Sequence, residues 1–273
     1  MNNIQKYAAL AQYIREKCVM MVNGGGSGHI GSMLSMADLL AVLYTDVLRV
    51  DPKDPAWDGR DRFLLSKGHG GAAVYCALAY RGFFPEDWLP TYYRDNDKLS
   101  GHISHHVPGV EFSTGSLGHG LPVAVGMALA LRQQGKSPRV FCLMSDGDCD
   151  EGSTWEAIMF AAQHKLDNLT VIVDWNRIQA LGFSKDIIDL APLTEKAAAF
   201  GWTAKEFDGH DFKAISDALA VLPYEAGRPT FLVARTVKCK GISELENTVV
   251  SHYYHVTDED RVRFTEELRR NVQ

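Results

Sequence analysis

The clearest chemistry in this chain lies at two points thirty residues apart. Asp146 sits in Ser145-Asp146-Gly147-Asp148, and Asn176 closes Asp174-Trp175-Asn176. Each follows an apolar run, Val140–Met144 and Leu169–Val173, with a helical pattern between the two runs. Adjacent buried strands ending in oxygen-bearing side chains would bring those side chains together at the sheet's carboxyl edge, where open α/β sheets bind ligands. Asp146 and Asn176 can supply hard oxygen ligands to Mg²⁺, which takes few protein ligands and fills its shell with water and phosphate oxygens. Gly147 lets the backbone approach a phosphate, and a helix beginning near Ser153 would aim its free N–H groups at the same place. These residues predict a site for Mg²⁺ and a diphosphate.

The surrounding composition suits a folded α/β protein. The chain has 273 residues, 46% of them hydrophobic, a net charge of −6 and a pI near 5.9. An acidic balance with no basic block predicts no nucleic-acid or anionic-membrane partner. No apolar run reaches the roughly 18 residues that span a bilayer. Lys6, Arg15, Glu16 and Lys17 interrupt the first twenty residues, so they do not read as a signal peptide. Five cysteines without a Cys-x-x-Cys pair predict a reduced, cytoplasmic setting and no zinc site. Cys149, inside the proposed metal loop, reads as an inert small residue before it reads as a reactive thiol.

The elements that position these residues follow from periodicity. Ile4–Met21 carries apolar residues at helical spacing, and Gly24–Gly31 breaks it. That break contains a formal G-x-G-x-x-G (Gly26, Gly28, Gly31), but a dinucleotide fingerprint needs a preceding strand and here a helix precedes. The loop is read instead as a turn presenting His29. Further helices are expected over Met36–Val47, Ala72–Arg81, Leu121–Gln133, Pro192–Phe200, Phe212–Leu222 and Asp258–Arg270. Strands are expected over Phe63–Ser66, Trp202–Phe207 and Thr230–Arg235 beside the two at the metal site. Pro85–His106 reads as irregular, and the Ala/Gly-rich Leu121 helix as buried, either in the core or at a subunit interface. Strands alternating with helices predict a doubly wound, mostly parallel sheet flanked by helices, in one domain over residues 1–273.

An EF-hand reading of Asp146, Asp148, Asp150 and Glu151 fails on register. Glu151 falls where the turn glycine belongs, and Ala157 where the bidentate glutamate belongs. Among the ten histidines, His29, His69 and His102 each stand beside glycine in a turn, with His105, His106 and His119 nearby in sequence. Histidine at such places can donate to phosphate or move protons near neutral pH.

At this point the motifs resemble a known family. Asp146-Gly147-x-x-x-Glu151-Gly152-x-x-x-Glu156-Ala157 with Asp174-x-Asn176-x-Ile178 resembles the thiamine diphosphate motif of transketolases. So do Ser27-Gly28-His29-x-Gly31, Asp61-Arg62-Phe63-x-Leu65-Ser66-x-Gly68-His69-Gly70, Thr114-Gly115-x-Leu117-Gly118-x-Gly120 and Asp208-Gly209-His210-Asp211. The likeness runs in order along nearly the whole chain.

The resemblance implies a thiamine diphosphate-binding fold and a role for each matched position. Asp146, Asn176 and the carbonyl of Ile178 would hold Mg²⁺, or another divalent cation such as Ca²⁺ or Mn²⁺. Gly147 would meet the diphosphate, and His69 would stand near diphosphate and substrate. Gly115, Ser116 and Leu117 would form the turn against the aminopyrimidine. His29 and His102 would bond the donor's first hydroxyl and carbonyl oxygen, and Glu151 would link paired active sites. His252, in Ser251-His252-Tyr253-Tyr254-His255, falls where the family's histidine segment is richer in glycine. Ser145 stands where the first glycine of Gly-Asp-Gly is usual, which removes no ligand.

The resemblance also implies that the family's pyrimidine-binding and C-terminal domains would come from a separate polypeptide. The expected assembly is an α2β2 heterotetramer transferring a two-carbon ketol unit between a ketose, free or phosphorylated, and an aldose. The α-chain of a 2-oxo acid dehydrogenase and a non-catalytic cofactor-binding relative stand as alternatives.

Overall fold

The computed structural model describes residues 2–26 and 28–270. Ser27, from the first glycine-histidine motif, and residues 271–273 lie outside the described residues. Five parallel strands form one sheet among the described residues: β1 (Arg62–Leu65), β2 (Val140–Ser145), β3 (Leu169–Trp175), β4 (Thr203–Asp208) and β5 (Thr230–Arg235), in the order β1-β2-β3-β5-β4. β2 and β3 are neighbours, as the apolar runs predict. Their register pairs Ser145 with Asp174, so Asp146 and Asn176 each stand just beyond the last rungs of this ladder.

The strand pleat sorts side chains into two cores. Leu65, Leu143, Ile172 and Leu232 lie across from one another on one face, and Leu64, Cys142, Val171 and Phe231 on the other. The first face is covered by α1 (Asn3–Gly25), α2 (Ile30–Ser35), α3 (Ala37–Val42) and α4 (Gly71–Arg81). α5 (Gly120–Gln133) and α6 (Gly152–Gln163) cover the second face. The short α7 (Ser184–Ile187) stands beside the end of β2. α8 (Leu193–Ala199) joins the second face, and α9 (Phe212–Ala220) and α10 (Asp258–Arg270) return to the first. Helices on both faces of a parallel sheet make the doubly wound α/β fold expected from the sequence.

Local chemistry sets the element ends. A reciprocal capping box of Asn2 and Gln5 starts α1, and Gly26 ends it in the left-handed region at φ 66°. The Asp208–Asp211 motif turns out to hold the scaffold. Asp211 caps α9 by accepting from the N–H groups of Lys213 and Ala214 at 2.8 and 3.3 Å. His210 Nε2 accepts from the Val237 N–H at 2.8 Å, which leaves Nδ1 to donate to Asp38 at 2.7 Å.

Several expectations need correction. The helix expected over Met36–Val47 is regular only from Ala37 to Val42 and closes through a wider π turn, Leu43–Val47. β1 spans Arg62–Leu65 and ends one residue before Ser66. Pro85–His106 contains a 3₁₀ segment, Glu86–Thr91. α5 buries one face (Leu121, Ala124, Val125, Ala128, Leu131), while Gly126 and Ala130 are exposed. No helix of the described residues is long and apolar enough to cross a membrane.

Asp61 ties the start of β1 to β2. Its carboxylate accepts from the Arg49 and Arg139 backbone N–H groups at 3.1 and 2.9 Å and from both guanidinium groups, with salt bridges of 2.9 and 2.6 Å. Removing one partner of a buried ion network leaves the others unpaired. Asp61→Ala should therefore cost about 3 kcal/mol in urea unfolding, whereas Val262→Ala on the exposed side of α10 should change it by less than about 0.5 kcal/mol.

Candidate functional site

At the carboxyl edge of the sheet a cavity of about 300 Å³ opens between the ends of β2 and β3. Asp146, Gly147, Asn176 and Ile178 line one side, and Leu117 and Gly115 another. Asp146 and Asn176 are buried, at 3% and 2% exposure. Asp146 Oδ1 accepts from its neighbour Gly147 at 3.1 Å, and its Oδ2 accepts from Ser184 Oγ, which α7 carries over the strand end. A Cβ at Gly147 would stand 3.0 Å from Leu117 and would fill this corner of the cavity.

Beyond β3 the chain makes a tight hairpin that presents Ile178. Arg177 takes the left-handed conformation at φ 66°, costly for a residue with a side chain. It is held there by an antiparallel bridge between Ile178 and Phe183 and by the Gln179 N–H donating to the Gly182 carbonyl at 2.8 Å. Gln179 also donates to Asp150 at 2.7 Å, joining this hairpin to the turn after β2. A larger cavity of about 450 Å³ lies behind the hairpin, against Trp175, Arg177, Phe183 and Ile188. It is mostly apolar and shares Asn176 and Ile178 with the smaller cavity, but it contains neither Asp146 nor a histidine, whereas the smaller one brings Asp146 and four histidines together.

Asp148 supports the loop. Its carboxylate accepts from Ser66 Oγ at 2.6 Å, the Gly118 N–H at 2.8 Å, and Ser145 N–H and Oγ at 2.8 and 2.9 Å. With its lone pairs occupied it offers nothing to a cation, which fits the failed EF-hand register. The serine before Asp146 thus contributes two of those four donors. Cys149 is buried, and burial with the nearby Asp148, Asp146 and Asp150 charges pushes its thiol well up, so it is inert at neutral pH.

Two lysines that carried no motif stand behind the cavity. Lys238, just past β5, is 1% exposed and donates to the Ile178 carbonyl at 2.7 Å and to His252 Nδ1 at 2.8 Å. Burial pulls its ammonium down to about 8, while the negative charge of Asp146 works in the opposite direction. Asp146 itself is raised to about 6, first by burial and then by the Asp174 charge, against the hydrogen bond from Ser184 and the pull of Lys238 and Lys67. Lys67, fully buried, donates to the Ser32 carbonyl at 3.0 Å and pairs with Asp174.

Four histidines face the cavity from separate elements. His29 precedes α2, His69 follows β1, His102 lies in the loop before α5, and His252 lies before α10. The His29 ring centre is 5.0 Å from His69, 5.7 Å from His102 and 5.2 Å from His252. Tyr253 packs its ring 4.8 Å from His29 at the mouth. His69 Nε2 shares a hydrogen bond with Ser32 Oγ at 3.1 Å. Burial, with the charges of His102 and Lys238, lowers His29 to about 4. His252 falls to about 3 by burial and the Lys238 charge, and His69 falls well below the usual histidine range by burial and the Lys67 charge. Burial alone lowers His102. The four rings are neutral near pH 7, so each can donate one hydrogen bond and accept another.

A hard-oxygen corner beside neutral imidazoles narrows the family, and sequence comparison decides it. The profile described as transketolase, thiamine diphosphate binding domain, matches residues 6–269. The chain is 45% identical over 245 residues to one of the subunits of the apulose-4-phosphate transketolase of Actinobacillus succinogenes, covering 89% of this chain and 88% of that one. It is 39% identical over 250 residues to a 6-deoxy-6-sulfo-D-fructose transketolase subunit of a Clostridium species, covering 91% of each. The transketolase of Leishmania mexicana superposes with a TM-score of 0.92 at 31% identity. That match covers 98% of this chain and 42% of the solved one, so the chain spans less than half of that enzyme's length. The chain belongs to the transketolase family.

It corresponds to the family's N-terminal, thiamine diphosphate-binding domain. Of the positions singled out in the sequence of this transketolase domain, His29, His69, His102, Gly115, Leu117, Asp146, Gly147, Asn176, Ile178 and His252 line the one cavity. Ser116 and Glu151 are exposed and stand outside that wall, as does His119. The rings of His105 and His106 meet at a tilt with centres 4.1 Å apart on the surface, and His105 is bonded to Ser113. The expected presentation of helical N–H groups near Ser153 is corrected. A 3₁₀ turn, Gly147–Asp150, separates α6 from the cavity, and no residue of Glu151–Thr154 reaches it. Lys238 is the buried cation beside the cavity that motif reading missed. Its signal, a lysine shortly past an apolar strand, was present in Thr236-Val237-Lys238.

The lowered histidines set a pH dependence for the chain without ligand. Below the unfolded value of 6.5 the unfolded chain takes up protons that folded His29 refuses until about pH 4. Stability contributed by the neutral cluster is thus complete above pH 6.5 and lost as pH falls toward 4. Thermal melts from pH 7.5 to 4.5 should show this decline, and His29→Gln with His252→Gln should flatten it. An equal slope in that double variant would refute the assignment.

Proposed function

We propose that this chain binds thiamine diphosphate through Mg²⁺ and, with a second polypeptide, transfers a two-carbon ketol unit from a ketose to an aldose. The observation that carries this reading is the convergence of three oxygen donors and four neutral histidines on one cavity at the carboxyl edge of the sheet. The donor set of the Asp146 carboxylate, the Asn176 amide oxygen and the Ile178 carbonyl is hard, as Mg²⁺ requires, and would accept Ca²⁺ or Mn²⁺ with little rearrangement. A protein cation, Lys238, already bonds the Ile178 carbonyl, which marks the corner as one that favours positive charge.

Thiamine diphosphate, when bound, supplies the electron sink for breaking a carbon–carbon bond next to a ketose carbonyl. This chain's own residues anchor and orient. Gly147 would give the diphosphate room, His69 would offer it a donor, and Leu117 with Gly115 would form a wall for the aminopyrimidine. His29 and His102, neutral and within one ring contact of each other, would donate to the donor's hydroxyl and carbonyl oxygens without needing a proton from solvent. No Arg or Lys is among the described residues lining the cavity. A sugar phosphate would therefore find its charge partners on another polypeptide, in keeping with the word subunit in the names of the two curated relatives. Two copies of this chain with two partners in an α2β2 heterotetramer is the assembly we infer, with Glu151 and Ser116 on the exposed rim available to it. Five unpaired cysteines, all buried, suit a reducing cytoplasm.

The test combines binding and turnover. Co-purified with a C-terminal transketolase polypeptide from the same genome, the chain should transfer a glycolaldehyde unit in a reaction requiring both polypeptides, thiamine diphosphate and Mg²⁺. Full activity from this chain alone would overturn the need for a partner. Asp146→Ala should weaken Mg²⁺-dependent cofactor binding in calorimetry by more than about 10-fold, with the melting profile retained. Unchanged binding would refute the metal assignment.

A further inference from the structure

Asp174 ends β3 fully buried, two residues before the proposed ligand Asn176, and four side chains converge on it. Ser35 Oγ donates to its Oδ2 at 2.6 Å, Lys67 pairs with the same oxygen, and Thr236 Oγ1 donates to Oδ1. The fourth is Asn176 itself, whose Nδ2 donates to Oδ2 at 3.3 Å. The Lys67 ammonium and the two hydroxyl donors fix the carboxylate in place behind the cavity.

That anion decides which way an amide faces. Asn176 has one oxygen and one NH₂, similar in size, and the two ends differ only in what they can bond. In the observed orientation Nδ2 meets the Asp174 carboxylate, and Oδ1 accepts from the Ile178 N–H at 3.2 Å. Turned over, the amide would set oxygen against carboxylate and NH₂ against N–H. Both ends would then repel. Oδ1 keeps a second lone pair, and Asn176 lines the same cavity as Asp146 and Ile178.

We propose that Asp174, fixed in place by Lys67, Ser35 and Thr236, is a positioning residue that holds the amide of Asn176 with its oxygen available to the divalent cation. This rests on the metal reading of Asp146, Asn176 and Ile178 above. It assigns a function to a buried ion pair that touches neither the cation nor the substrate. It also explains why the pair sits at a strand end rather than being replaced by apolar side chains, which would cost the fold little. Partners of metal ligands of this kind typically change cation affinity by 10- to 100-fold when removed.

The test replaces both charges together, so that no buried charge is left unpaired. In the complex with its partner polypeptide, Lys67→Met with Asp174→Leu is titrated with Mn²⁺ in the presence of thiamine diphosphate, read by water-proton relaxation. Circular dichroism and a thermal melt report the fold. Mn²⁺ should bind about 10- to 100-fold more weakly than to the wild-type complex. Adding Asn176→Asp should recover most of that loss, because a carboxylate presents oxygen whichever way it turns. A folded double variant with wild-type Mn²⁺ affinity, or a folded triple variant as weak as the double, overturns the proposal. If the double variant does not fold, Asp174→Asn with Asn176→Asp, which keeps one carboxylate and one amide at the strand end, is measured instead. Affinity near the wild type supports the proposal, and loss or failure to fold overturns it. Absence of thiamine diphosphate-dependent Mn²⁺ binding by the wild-type complex would instead refute the metal reading on which this rests.

Discussion

The pairing of Ser145 with Asp174 across β2 and β3 is the constraint on which the site depends. β3 runs one residue past this rung and β2 ends on it, so Asp146 and Asn176, one and two residues beyond the rung, emerge on the same edge. A slip of one residue would turn each strand's core set to the wrong face, and both faces here are buried under helices. The register is therefore held by the entire apolar content of two cores, Leu143 with Ile172 on one side and Cys142 with Val171 on the other. Catalytic geometry is set by hydrophobic packing that lies well below the cavity.

Charge is arranged on top of that frame. Three carboxylates, Asp146, Asp148 and Asp174, are buried around the strand ends against two buried ammonium groups, Lys67 and Lys238. Asp148 is consumed by four donors and Asp174 by Lys67 and hydroxyls, which leaves Asp146 as the carboxylate whose charge is least compensated. Its rise to about 6 comes first from burial and then from the Asp174 charge, and a divalent ion would offset both. Burial first, and the charges of the two lysines second, lower the neighbouring imidazoles His69 and His252. The buried cations thus stand behind the wall and help keep the histidines able to serve uncharged oxygen atoms.

Much of this was legible in the sequence because it rests on local signals. Apolar runs with polar stops marked β2 and β3, periodicity marked α1 and α10, and Thr230–Arg235 was bounded to the residue. Glycine beside histidine marked three of the four rings in the cavity. What was not legible depends on contacts distant in sequence. Lys238 meets Ile178 across 60 positions, and Ser184 meets Asp146 across 38. The role of Asp208–Asp211 was hidden for the same reason. It stands in the family pattern beside residues that line the cavity, yet His210 bonds Asp38 across 172 positions to brace α9 and α3. The helix N-terminus expected at Ser153 failed because a 3₁₀ turn, whose polar contacts come from Ser66 and Gly118 far upstream, intervenes.

The mouth of the cavity differs from its floor. The floor is closed by buried polar atoms with satisfied partners, whereas the rim carries Leu181 at 88% exposure and Tyr253 at 68%. Large apolar side chains standing together at an opening lose less to water when a second surface covers them. The ring of Tyr253 is already set against His29 and His252, so that opening has a defined edge. A surface closing on this rim would exclude water from the neutral histidines, and hydrogen bonds to them gain strength as the local dielectric falls. The physical reason for a second polypeptide is then twofold: it would bring positive charge that the cavity wall lacks, and it would dry the donors that the wall already has.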